Sequence, residues 1–314
     1  MPLPQYLRDP AAMAEGQARL LERYGHDCVY AFAYGAAEAE AFGAEVENFE
    51  NGSPNVARPP LTSASEIGAL APPDPEAYEA LQRTLELIRL LAGRFKGRVP
   101  ILADVIGPLG LPAMLLGMEA WLELLLFGDA GLRDHMLAVS EAFCLRWAGA
   151  QIAAGADAVG YFEPVASPEI TTPEQLRSFA LPALRRVAKQ APAPLVFSTA
   201  GARNLSLVPE LADAGAACIV ASAADNLREV KREAQGKIAV AGNLNNIAMV
   251  TWDAPEAERQ VERCIEAAGA GGGYLLSDQH GEIAWQTRPE VLSAIVEAAH
   301  RWGTYPVEEK EAGA

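Results

Sequence analysis

Cysteine is scarce and unpaired in this chain. Its 314 residues hold four, Cys28, Cys144, Cys218 and Cys264, and no two form a CxxC pair. That spacing argues against a disulfide framework and leaves reduced, buried thiols as the expectation. Positive charge is also short: 25 Lys and Arg stand against 41 Asp and Glu, for a net charge of −16. With no basic stripe, the chain offers no nucleic-acid-binding surface. No window approaches the roughly 20 apolar residues of a membrane span, and Met1-Pro2-Leu3-Pro4 lacks a basic region followed by an apolar stretch. A cytoplasmic protein with no membrane partner is expected. No GxGxxG or P-loop follows the first apolar run, which weighs against a dinucleotide-binding sheet.

What is present is core. Half the residues are hydrophobic and 21% are charged, a balance that supports a large folded interior. Short, near-continuously apolar runs read as strands buried on both faces: Cys28–Ala33, Pro100–Val105, Ala158–Phe162, Leu195–Thr199, Ala217–Ala221, Ile238–Ala241 and Gly273–Ser277. Between them lie amphipathic stretches that read as helices, among them Pro75–Phe95, Met118–Gly155, Pro173–Gln190 and Pro289–Arg301. Thr172 before Pro173, with Gln175 three residues on, is a capping box; Thr287 before Glu290 follows the same logic. Helix, Gly turn and apolar strand recur as βα units. Seven strands are visible, and an eighth is expected in the irregular N-terminal segment. The fold class is α/β, a closed (β/α)8 TIM barrel, with a doubly wound open sheet as the alternative. Gly35–Pro73 reads as an excursion over the barrel mouth, with a hairpin near Glu45–Phe49. One domain spans 1–306, and the charged tail 307–314 is expected to be disordered.

In such a barrel the strand ends carry the chemistry. They place Asp104, Glu163, Ser198, Thr199, Ser222, Asn243, Asp278, Gln279 and His280 at one rim, with Tyr34 and Tyr161 nearby. Glu163 closes an apolar strand, so it is expected to be paired or functional; bridging adjacent strands is its structural alternative. Asn243 has capping a turn as its own. His280, Glu163 and Asp104 are the catalytic candidates. Tyr34, Ser198, Asn243, Gln279, Ser222 and Tyr161 are the substrate contacts, and Trp285 is a surface on which a flat donor would stack. His280 and Glu163 are also the candidate metal ligands. His26, His135 and His300 sit in polar, helix-like settings and read as solvated.

Ile106-Gly107-Pro108-Leu109-Gly110, Ala153-Ala154-Gly155-Ala156-Asp157, Val240-Ala241-Gly242-Asn243-Leu244, Gly272-Gly273-Tyr274-Leu275-Leu276-Ser277 and Trp302-Gly303-Thr304-Tyr305-Pro306 together resemble the uroporphyrinogen decarboxylase superfamily. The resemblance implies a (β/α)8 barrel. Glu38-Ala39-Glu40-Ala41-Phe42-Gly43 and Gly117-Met118-Glu119 resemble its corrinoid-dependent methyltransferase branch, of the methylcobalamin:coenzyme M or O-demethylase kind. The decarboxylases grip substrate carboxylates with an N-terminal Arg motif and carry an aspartate at the end of the first strand. Here the N-terminus offers Arg8, and that strand ends Ala33-Tyr34-Gly35. The thiol-methylating members bind zinc through His-x-Cys and a later Cys; the matching positions resemble Ser198, Ala200 and His280, so two of three ligands are missing. Zinc held by Glu163, Asp104 and His280 stays open. The resemblance implies methyl transfer between a small O- or N-methyl donor, a methoxy-aromatic first, and cobalamin on a separate corrinoid protein, since no Asp-x-His-x-x-Gly is present. The alternatives are a decarboxylase or lyase on a smaller acid, or a non-catalytic ligand-binding member.

Overall fold

A computed structural model describes residues 1–307. The expected tail lies, beyond Val307, outside the described residues. The strands are β1 (Val29–Tyr30), β2 (Glu45–Phe49), β3 (Gly52–Arg58), β4 (Ile101–Ile106), β5 (Ala158–Phe162), β6 (Leu195–Ser198), β7 (Cys218–Val220), β8 (Ala239–Leu244) and β9 (Tyr274–Asp278). β1 and β4 to β9 form one parallel sheet in chain order, and β2 and β3 form a separate antiparallel hairpin. Parallel neighbours joined through helices are the βα rhythm expected.

The eighth strand does not join this sheet among the described residues. The N-terminal segment coils instead, as Leu3–Tyr6 and Pro10–Tyr24. Met13, Ala14, Ala18 and Leu21 recur at helical spacing and pack on the core. The sheet still curls towards closure. Helix Pro289–Trp302 packs on Pro10–Tyr24, and a methyl placed on Gly281, after β9, would lie 3.8 Å from the Tyr30 hydroxyl of β1. The result is a TIM-barrel-like α/β fold built on a curled seven-stranded half-barrel.

Alternation assigns the two faces of the sheet. Val29, Ala103, Val105, Val159, Tyr161 and Phe197 are all but fully buried and face the helical layer. Their neighbours Tyr30, Leu102, Asp104, Gly160, Phe162 and Val196 are partly exposed and face the inside of the curl. The expected helix 118–155 is two helices, Met118–Phe127 and Ala130–Ala154. The break falls where Asp129 caps the second, accepting from the Leu132 N–H at 2.9 Å. The Thr172–Gln175 capping box is present. Thr287 makes no cap, because Arg288 holds the N-cap position of the last helix without a side-chain bond. The Ser53 hydroxyl of the hairpin donates to Glu282 in the loop after β9 at 2.6 Å, so the N-terminal excursion does reach the mouth. No described helix is long and apolar enough to cross a membrane.

Candidate functional site

On the inner face the Asp104 carboxyl sits among aromatic side chains. The Tyr30 hydroxyl donates to Asp104 Oδ2. Gly160 stands opposite Asp104 in the register, and any Cβ there would overlap Asp104 Oδ1. Phe162 follows two residues on, on the same face. The His280 ring packs edge-on against Phe162, with centroids 5.6 Å apart at 73°. Gly281 then returns the chain to Tyr30. Tyr30, Asp104, Phe162 and His280 therefore close a circle at the carboxyl edge of the sheet. Burial pushes the Asp104 carboxyl up to about 7, against the Tyr30 hydrogen bond, which lowers it. Burial first, then the Asp104 charge and hydrogen bond and the Asp278 charge, push Tyr30 well above its usual range. The His280 backbone N–H donates to Asp278 Oδ1 at 2.7 Å, while His280 Nδ1 is buried with no partner in the described structure.

Glu163 lies at the same edge but on the other face. A Cβ on Gly107 would overlap the Glu163 carboxyl and touch the Tyr161 ring, so both side chains share the helix-facing side. Glu163 is 1% exposed, and its Oε2 accepts from the Leu109 N–H at 3.0 Å. Burial raises it to about 8, against the Leu109 and Gly110 N–H groups, which lower it. Glu38 enters this layer from helix Ala36–Ala41, accepting from the Ile106 N–H at 2.9 Å. Burial first, then the Asp104 charge, pushes it well above the carboxylate range. Strand parity thus carries Glu163 away from His280. The expected pair does not share a cavity.

The other expected contacts scatter. Tyr161 stacks on Phe197 in the helical layer, with centroids 6.0 Å apart. Asn243 donates to the carbonyls of Ser222 at 2.8 Å and Asp225 at 3.3 Å. Gln279 accepts from the Ala223 N–H at 2.8 Å and donates to Asn246 at 3.2 Å. The Ser222 hydroxyl donates to the Gly201 carbonyl at 2.6 Å. These three side chains are spent binding the rim loops to one another. Ser198 accepts from the Ala200 N–H at 3.2 Å. Tyr34 donates to Glu40 at 2.7 Å beside Arg83, in a cavity of about 350 Å³ that Arg8 and the hairpin residues Val46 and Asn48 also line. Trp285 is 82% exposed on the rim. Tyr30 and Phe162 stand beside Asp104 and His280 without having been singled out; Tyr30 had a signal in the alternation Tyr30-Ala31-Phe32, and Phe162, between Tyr161 and Glu163, had none.

Zinc does not fit these residues. Among the described residues no group of three or more His, Cys, Asp or Glu stands close enough to hold an ion. With Glu163 turned outward, the three expected donors do not converge.

The charge at this end is one-sided. The seven parallel strands contain no Lys or Arg, and the segments from their ends to the next helix contain two, Arg203 and Arg288. Both are engaged: Arg203 lies 3.7 Å from Glu169 and 3.9 Å from Asp225, and Arg288 lies 3.3 Å from Glu290 and donates to the Trp252 carbonyl. The same strands and segments carry six acids: Asp104, Glu163, Glu169, Asp225, Asp278 and Glu282.

A curled parallel sheet with its polar groups gathered at the carboxyl edge defines a TIM-barrel-like α/β protein. The family model for uroporphyrinogen decarboxylase matches residues 1–302, and the chain belongs to that family. A uroporphyrinogen decarboxylase from Thioalkalivibrio sulfidiphilus is 26% identical over 310 residues, covering 94% of this chain and 85% of the relative. One from Methylococcus capsulatus is 27% identical over 306 residues, covering 93% and 84%. Among solved structures, a methyltransferase from Methanosarcina mazei aligns with a TM-score of 0.87 at 22% identity, over 96% of this chain and 88% of that one. A B12-independent methionine synthase from a Shewanella species aligns at 0.58 and 12%, over 93% and 88%. At these identities the structural likeness is one of fold.

Proposed function

We propose that this chain is a cytoplasmic methyltransferase of the family, moving a methyl group from a small O- or N-methyl donor to the cobalt of a corrinoid carried by a separate protein. One observation carries the choice over decarboxylation: among the described residues, the seven strands and the segments from their ends to the next helix hold no Lys or Arg without a carboxylate within 4 Å. A porphyrinogen presents several carboxylates, and gripping them in a partly dehydrated site takes guanidinium or ammonium groups. The acids here would repel such a substrate.

The corrinoid acceptor is a second substrate and supplies the cobalt nucleophile, so the chain needs no nucleophile of its own. Its work is to hold the donor and accommodate the leaving group. Asp104, half-protonated near pH 7, can give a proton to an oxygen as the C–O bond breaks, and Tyr30 then steadies the carboxylate by its hydrogen bond. Phe162 and His280 wall the donor. Glu163 takes no part, being sealed behind the sheet. The rim suits an apolar partner face: Ile247, Ile283 and Trp285 are 74%, 47% and 82% exposed. Asn246 joins the loops that carry them by donating to the Glu282 carbonyl at 2.7 Å.

The test is a donor screen with reduced free cobalamin, following methylcobalamin by absorbance. Transfer from a methoxy or N-methyl donor, reduced on the order of 100-fold in Asp104→Asn, supports the proposal. Loss of carboxyl groups from a porphyrinogen or a smaller acid, with no methylcobalamin from any donor, would replace it with the decarboxylase reading. Ligand binding without turnover of either kind would leave a binding protein.

A further inference from the structure

We infer that the inner face of the sheet around Asp104 binds an N-methylated ammonium ion, which makes an ammonium compound rather than a methoxy-arene the donor class; the donor role, though not the binding, rests on the methyl-transfer reading. A carboxylate beside aromatic rings is the chemistry that recognises a bulky, weakly hydrated cation. Asp104 supplies the charge. Tyr30 lies on one side, with Phe32 beyond it at a centroid distance of 6.0 Å; Phe162 and the His280 ring lie on the other. The buried, unpartnered His280 Nδ1 is a spare acceptor for an N–H or O–H of the guest.

The charge census separates the donor classes. Leaving out Glu163, which faces the helices as a neutral acid, the strands and rim segments hold five acids against two engaged arginines. A neutral ether gains nothing from that field, an anion is repelled, and a cation is drawn in. The chemistry balances without an added proton. The C–N bond breaks, its electron pair stays on nitrogen, and the amine leaves neutral. The methyl carbon bonds to cobalt through the two electrons of the reduced cobalt nucleophile. Asp104 then acts as counter-ion to the donor rather than as an acid.

Choline and its neutral carbon isostere, 3,3-dimethylbutan-1-ol, test the assignment, because they share shape and differ in charge. Titration calorimetry on the full chain should show choline binding about tenfold or more tighter, as a carboxylate and a ring face together provide. Asp104→Asn should abolish that preference, and Phe162→Ala should weaken choline while leaving the isostere little changed. Circular dichroism checks the fold, and if Asp104→Asn does not fold, the Phe162→Ala pair decides. Equal binding of the two ligands, no choline binding, or a preference that survives both substitutions overturns the inference. Methylcobalamin from a methoxy-arene without choline binding overturns the ammonium class and leaves methyl transfer standing. Choline binding that depends on Asp104, with no methylcobalamin from any donor, supports the ammonium site and removes methyl transfer.

Discussion

Replacing Asp104 with Asn should stabilise the protein above pH 7 and leave it little changed near pH 4. Burial holds the native carboxyl at about 7, against 3.8 ordinarily. A gap of roughly 3 units at 1.36 kcal/mol per unit comes to about 4 kcal/mol. The sign follows from proton binding. The native state holds the proton more tightly than the unfolded chain, so the carboxyl's favourable contribution is complete below pH 3.8. It declines as pH rises and is gone once the native carboxyl ionises through about 7. Asparagine keeps an oxygen for the Tyr30 hydroxyl and carries no charge, so the variant lacks this decline. Glu163 is also raised, to about 8, but it loses stability in the same direction in both proteins and cancels in the difference. Glu38, which the Asp104 charge pushes up, relaxes downward in the variant and adds a smaller gain of the same sign. Urea denaturation of both proteins from pH 4 to pH 8.5 measures the gap, which should open from near zero to about 4 kcal/mol. Tyr30→Phe, which removes the bond that lowers Asp104, should push the end of the decline to higher pH. A gap that stays constant across this range, or closes as pH rises, would refute the burial of an ionisable Asp104.

Gly107→Ala should cost about 1–3 kcal/mol in denaturant unfolding, because the added methyl meets the Glu163 carboxyl and the Tyr161 ring, both fully buried. Ala200 sits at φ 57, where an L side chain is strained, so Ala200→Gly should gain about 0.5 kcal/mol in the same assay after the flexibility of glycine is subtracted. Trp285→Ala should leave stability within about 0.5 kcal/mol, the side chain being exposed. It should slow methyl transfer to a protein-borne corrinoid and spare transfer to free cobalamin, as paired rate measurements would show.

The strands were legible because helices cover one face and the curl encloses the other, which forces continuous apolar runs. β5 has the bounds read from its residues, and β6 differs by one. The first strand was read too long: Cys28–Ala33 is apolar throughout, yet β1 pairs with β4 at Val29 and Tyr30 alone. Hydrophobicity does not report where a chain leaves its neighbour. The absent eighth strand was inferred from the count a closed barrel needs, whereas the N-terminal residues carry helical spacing at Met13, Ala14, Ala18 and Leu21.

The sequence placed Asp104, Glu163 and His280 together at the strand ends, whereas the structure turns Glu163 to the helical face, and strand parity explains the difference. Glu163 shares its parity with Tyr161, while Asp104 faces the same way as Gly160 and Phe162 through the β4–β5 register. A sequence shows parity within a strand; it does not show which parity faces the helices, nor how two strands are aligned. The burial pattern does both. Once Tyr161 is in the helical layer, Glu163 must follow it, and its carboxyl is held by backbone N–H groups as a neutral structural acid. Asp104 then faces the inside of the curl beside the aromatic rings, with the Asp278 charge also reaching Tyr30. Family membership alone would suggest a carboxylate-gripping site here. The distribution of charge across the seven strand ends points to a ligand of the opposite sign.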